Sequence, residues 1–88
     1  MAPALAGCNT PSPAFRGIAP TRITVEGSTF DVRIDGNRAE AIRLNPEYAP
    51  RLAAVAPRAT VAIETVSGCT VSRLRGDQAL ILATLKCG

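Results

Sequence analysis

The stretch Ile23-Thr24-Val25-Glu26-Gly27-Ser28-Thr29-Phe30-Asp31-Val32-Arg33-Ile34 decides the fold. Apolar side chains alternate with polar ones on both sides of a Gly-Ser pair. A period of two marks a strand with one buried face. Gly27-Ser28 suits a two-residue hairpin turn, because glycine accepts φ > 0 at the first turn position. That turn pairs Val25 with Phe30 and Ile23 with Val32, and it puts these four residues and Ile34 on one face. Arg22, Thr24, Asp31 and Arg33 fall on the other face, with Arg22 and Arg33 opposite each other. Like charges so placed repel, which suggests either a solvated pair or a small reader of anions.

Working outward, Asp35-Gly36-Asn37 is rich in turn formers. Arg38 to Leu44 is expected as a third strand with Ile42 and Leu44 inward. Its Ala and Glu residues are weak strand formers, so a short helix is the alternative. Asn45-Pro46 ends the element, since a residue before proline avoids helical angles. From about Pro50 to Ser67, Leu52, Val55, Ala59, Ala62, Ile63 and Val66 recur at helical spacing. Pro57 either bends that helix or occupies its first position. Gly68 suits the residue just past a helix end. Val71 to Arg75, a turn at Gly76-Asp77-Gln78 and the apolar run Ala79 to Leu85 read as a final hairpin. The lack of alternation in that run suggests a central strand buried on both faces. The expected architecture is α+β: an antiparallel β-sheet with one helix packed on one face, in the order β-β-β-α-β-β. A single helix leaves the other sheet face to be covered by the N-terminal segment, a second copy or a partner protein.

The chain has 88 residues, enough for one domain. Residues 21–88 are expected to fold, with residues 1–20 as a signal remnant and Pro-rich tether. Aromatic residues are scarce, so the core must be aliphatic, and Phe15 or Ile18 could pack on the domain. The abundance of Ala and Arg reads as the imprint of a GC-rich genome. Net charge is +3 and the arginines are scattered, unlike the clustered basic stripe of a nucleic-acid binder. No stretch approaches the roughly 20 apolar residues needed to span a bilayer.

Several chemistries find no support. The chain has no His, so no serine has an imidazole base, and the usual zinc ligand set is missing. The carboxylates suggest no paired acid and base in a cleft. We therefore expect neither an enzyme nor a bound cofactor. Arg75-Gly76-Asp77 matches the adhesive tripeptide read by animal integrins, and Asn45-Pro46-Glu47-Tyr48 matches an endocytic peptide. Turn chemistry accounts for the first, and the second sits between two predicted elements rather than in a tail.

There are three cysteines: Cys8, Cys69 and Cys87. The natural partition is two plus one. Cys69 and Cys87 bracket the last hairpin and meet near its open end. A diagonal placement is too wide for a relaxed bridge, so a local shift or bulge is expected. The bridge would contribute about 3 kcal/mol and imply an oxidising compartment. The alternative is a pair of buried free thiols.

Leu5-Ala6-Gly7-Cys8 resembles the bacterial lipobox. The resemblance implies a diacylglyceryl group on the Cys8 thiol and cleavage that makes Cys8 the first residue. The match covers four residues, followed by the Pro/Ser-rich stretch 9–20. If extended, that stretch would hold the domain about 30–35 Å from the membrane. Only seven residues precede Cys8 and none is basic, so the positive n-region and apolar run of a working signal are not all present. In lipoproteins an Asp after the cysteine favours the inner membrane, so Asn9 leans toward the outer one. The short hairpin, the run Ala39-Glu40-Ala41-Ile42-Arg43, a helix ending in Gly68-Cys69 and the final Cys87 together resemble small alphaproteobacterial periplasmic proteins. The expected function is a periplasmic, lipid-anchored accessory subunit of an envelope assembly. It would meet a protein partner or a second copy through the sheet face. The other reading is a small-ligand or anionic-lipid binding module using Arg22, Arg33 and Arg43.

Overall fold

In the computed structural model, which describes residues 13–45 and 51–88, the alternating stretch is an antiparallel hairpin. Its strands are β1 (Thr21–Val25) and β2 (Ser28–Asp35). The turn is Glu26-Gly27 rather than Gly27-Ser28: Val25 stands opposite Ser28, Ile23 opposite Phe30 and Thr21 opposite Val32. Glu26 (φ 50) and Gly27 (φ 90) both take positive φ, the pattern of a type I′ turn. Two contacts hold it there. Asn45 accepts from the Thr29 N–H at 2.8 Å and donates to the Gly27 carbonyl at 2.9 Å. Ser28 is fully buried in the strand and accepts from Arg58 at 3.0 Å. The register differs from the expected one by two residues, an even number, so every side chain keeps its expected face.

A second two-residue turn, Gly36-Asn37, joins β2 to β3 (Arg38–Arg43). The third element is thus a strand, which excludes the helical alternative. Its inward residues are not Ile42 and Leu44. Ala39 and Ala41 face the helix side with Ile34 and Val32 opposite them, and Ile42 is buried on the other face, opposite Asp31. Leu44 follows the strand, half-buried, with its N–H on the Thr29 carbonyl. The chain then forms α1 (Leu52–Ser67), β4 (Thr70–Gly76) and β5 (Leu80–Lys86). The strands make one antiparallel sheet in the order β1-β2-β3-β5-β4. The α+β architecture and the β-β-β-α-β-β order are those read from the sequence.

Helix α1 buries Val55, Ala59, Ala62 and Ile63 against Phe30, Val32, Ala39, Ala41, Ile81 and Ala83. Ala39, Ala41, Ala59, Ala62 and Ala83 are all at most 1% exposed. Small side chains on both surfaces let a helix lie close to a sheet without voids. Genome composition therefore does not exhaust the meaning of these alanines; five of them are the packing surface. The helix starts at Leu52 and runs through Pro57, so Pro57 does not begin it. Proline there withholds one N–H from the helical ladder. Gly68, just past the last turn, donates its N–H to the Glu64 carbonyl at 2.9 Å.

The helix N-terminus is poorly capped. Arg51 has the extended angles of a cap (φ −125, ψ 144), but its side chain makes no capping bond, and the first turn has no acidic residue. Arg51→Asp supplies an acceptor for the free N–H groups and a charge of the favourable sign. It is expected to raise the unfolding free energy by about 1 kcal/mol, visible as a rise of roughly 5 °C in a thermal melt. An unchanged midpoint would show that this terminus does not limit stability.

Strand β5 is central, between β3 and β4. Ile81, Ala83 and Leu85 are buried under the helix, while Leu80, Leu82 and Thr84 are half-buried on the opposite face. In the β4–β5 hairpin Gly76 has φ 115, and a Cβ there would stand 2.3 Å from the Leu80 carbonyl oxygen. Only glycine fits that approach. Further along, the register shifts between Val71 and Arg73, leaving Ser72 as a bulge. The bulge turns Val71, rather than Ser72, toward Leu85. Glu64 of α1 accepts from the Val71 N–H at 2.8 Å beside it.

Candidate functional site

The bulge has a chemical consequence at the hairpin's open end. Below it Thr70 stands opposite Lys86, and the same register sets Cys69 opposite Cys87. Without the extra residue Cys69 would face Gly88. The two sulfurs are bonded, with Cα atoms 4.5 Å apart, the spacing of directly opposed residues outside a hydrogen-bonded pair. The expected bridge is present, and the expected local shift is what makes it possible. Cys8 lies outside the described residues, as do Pro46, Glu47 and Tyr48 of the endocytic-type peptide.

The sheet face turned away from α1 holds most of the charge. Arg22 reaches across to Asp31, with Nε on Oδ1 at 2.9 Å and Nη2 on Oδ2 at 3.2 Å. That pairing raises the Arg22 pKa further above its ordinary value, chiefly through the hydrogen bond. Arg33 lies opposite Glu40, not Arg22. Its Nη1 is 3.5 Å from Oε1 of the fully buried Glu40, and its Nε donates to the Ile18 carbonyl at 2.9 Å. The anticipated clash of Arg22 with Arg33 is therefore absent, because the true register gives each arginine a carboxylate. Arg43 pairs with Phe30 on the helix side and donates to the carbonyls of Gln78 and Asn45. The three arginines expected as one anion patch do not come together, and all three hold groups of the chain itself.

The N-terminal stretch lies over the same face. A single 3-10 turn, Pro13–Phe15, brings Phe15 to 2% exposure outside the main core cluster. Phe15 lines a groove of about 170 Å³ with Pro13, Arg38, Arg75 and Leu82. Phe15 therefore packs on the domain and Ile18 is partly buried, while the residues around them are exposed. The Ile18 carbonyl also takes up one donor of Arg33 in the buried Arg33–Glu40 pair.

The β5–β4 end of this face is left open. Arg73 stands opposite Thr84 and Arg75 opposite Leu82, so both side chains share the face with Lys86. All three are exposed and form no ion pair among the described residues. Arg38 approaches Thr84 from the other side; its link to Asp35 is a 3.5 Å contact between half-exposed side chains. Asp31, Asp35, Glu40 and Glu64 are engaged elsewhere. Asp77 accepts from the N–H groups of Ala79 and Leu80, both at 2.9 Å, which holds its carboxyl below the usual range. The Arg75-Gly76-Asp77 tripeptide is thus a closed turn, with its acid occupied. These cations escaped the sequence reading because Arg73 and Arg75 share a face with Lys86 only once the pairing of β4 with β5 is known. The signal available was the Arg-x-Arg alternation of Arg73 and Arg75 on a predicted strand.

Among the described residues no group of three or more His, Cys, Asp or Glu side chains could hold a metal ion, and no helix is long and apolar enough to cross a membrane. A second cleft, of about 220 Å³ between β1 and α1, contains the single carboxylate Glu26. No protein-family model, curated protein or solved structure matches this chain.

Proposed function

We propose that the chain is an exported, lipid-tethered domain acting without catalysis as an accessory subunit of a membrane-associated assembly in the bacterial envelope. The observation that carries this reading is the Cys69–Cys87 bridge. Disulfides persist in oxidising compartments and are rare in the reducing cytosol. The lipobox-like Leu5-Ala6-Gly7-Cys8 supports the same address, with Cys8 as the acylated residue and Asn9 favouring the outer membrane. An interaction role is supported by the site chemistry. The clefts described above present no pair of acids, whereas the sheet offers an open face with half-buried Leu80 and Leu82 and three cations that form no ion pair among the described residues. That face is the proposed working surface.

Protein recovered from its native cells tests this. Intact-mass analysis is expected to find Cys8 at the N-terminus carrying a diacylglyceryl group, and non-reducing peptide mapping to find Cys69 linked to Cys87. An unacylated chain with protonated thiols at both positions would overturn the reading.

A further inference from the structure

We infer that the β3–β5–β4 part of the open sheet face is a docking surface for anionic lipid headgroups. Arg38 and Arg73 flank Thr84 from its two neighbouring strands, about 10 Å apart by strand spacing. Arg75 lies two residues from Arg73 on the same face, roughly 7 Å along β4. Lys86 extends the row toward the hairpin's open end. Clustered like charges cost folding energy unless something opposes them, and the chain supplies no acid to Arg73, Arg75 or Lys86 among the described residues. The partner that answers this pattern is a negatively charged surface.

The route of the chain selects which surface. The N-terminal stretch lies across this face, with Pro13 lining the groove beside Arg38, Arg75 and Leu82. Cys8 is five residues before Pro13, a reach of at most about 18 Å. Phe15 and the Ile18 carbonyl hold the stretch expected as a free tether to the domain. On the lipid-tethered reading, on which this placement rests, acyl chains on Cys8 would hold the cationic face against the bilayer instead of letting the domain float above it. Leu82 stands opposite Arg75 and Leu80 lies on the same face of β5; both would meet the acyl boundary as the guanidinium groups meet the phosphates.

The test uses the full chain with Cys8→Ser, so that binding through this face is measured without any anchor. Acylation of native protein is scored separately by mass, and either claim can fail alone. Co-sedimentation with phosphatidylglycerol vesicles is compared with phosphatidylcholine vesicles at low salt. Each basic side chain at an anionic surface is worth roughly a fivefold change in partitioning. Arg73→Gln/Arg75→Gln should therefore weaken binding to phosphatidylglycerol by roughly 25-fold, while phosphatidylcholine binds neither protein. Arg51→Asp, which lowers the net charge by the same two units at the helix side, should change binding by less than about threefold. Equal losses from the two variants would overturn the proposal in favour of net charge alone. Absent binding, or equal binding by parent and Arg73→Gln/Arg75→Gln, would also overturn it. Displacement from vesicles by millimolar inorganic phosphate would reassign the cations to a soluble anion and overturn the lipid docking surface.

Discussion

Replacing Cys69 and Cys87 together by alanine is expected to lower the unfolding free energy by about 3 kcal/mol. The bridge spans a sequence separation of 18, and opening it returns that loop's freedom to the unfolded chain. A domain of this size has roughly 5–15 kcal/mol in total, so the loss is a large share. Urea denaturation followed by far-UV circular dichroism measures it. Reductant should bring the parent protein to the same midpoint as the double variant and leave the variant unmoved. A parent midpoint indifferent to reductant would sink the expectation. The effect has a local side too. Val71, Glu64 and the bulge lie next to Cys69, so amide exchange in β4 should rise before exchange in β2.

Phe15→Ala is expected to cost about 3 kcal/mol. Phe15 is 2% exposed although it lies outside the helix–sheet core, and its removal leaves a void that a short segment cannot refill. Losing its seat would also loosen the Ile18 carbonyl's contact with Arg33 in the buried Arg33–Glu40 pair, whose side chains are 9% and 0% exposed. The comparison is Ala14→Gly, which alters an exposed neighbour of the same turn. If Phe15→Ala melts with the parent, residues 13–20 are an appendage and the sheet needs no cover from them.

Element order and facing were legible because they depend on period alone: Ile23, Val25, Phe30, Val32 and Ile34 point inward in either register. The turn was misplaced because Glu26 has no special claim to positive φ; Asn45, seventeen residues beyond the turn's last expected position at Ser28, fixes it through Gly27 and Thr29. The inward face of β3 was missed because Ala39 and Ala41 carry little hydrophobic signal, although their smallness is what admits α1. Charge partners were illegible for the same reason as the turn. The two-residue shift in β1–β2 puts Arg22 opposite Asp31, the β2–β3 register puts Arg33 opposite Glu40, and the pairing of β4 with β5 brings Arg73, Arg75 and Lys86 to one face.

The order in which the chain meets the sheet also governs how the domain bears tension. β1 is an edge strand and directly follows the N-terminal segment. Pulled from that end alone, it would peel off one backbone pair at a time, the weakest way to unzip a hairpin. Here the pull arrives first at the seated Phe15 ring and at the Ile18 carbonyl gripped by Arg33 of β2. Tension from that end would then be spread over an interior strand, and β1 would hang slack behind it.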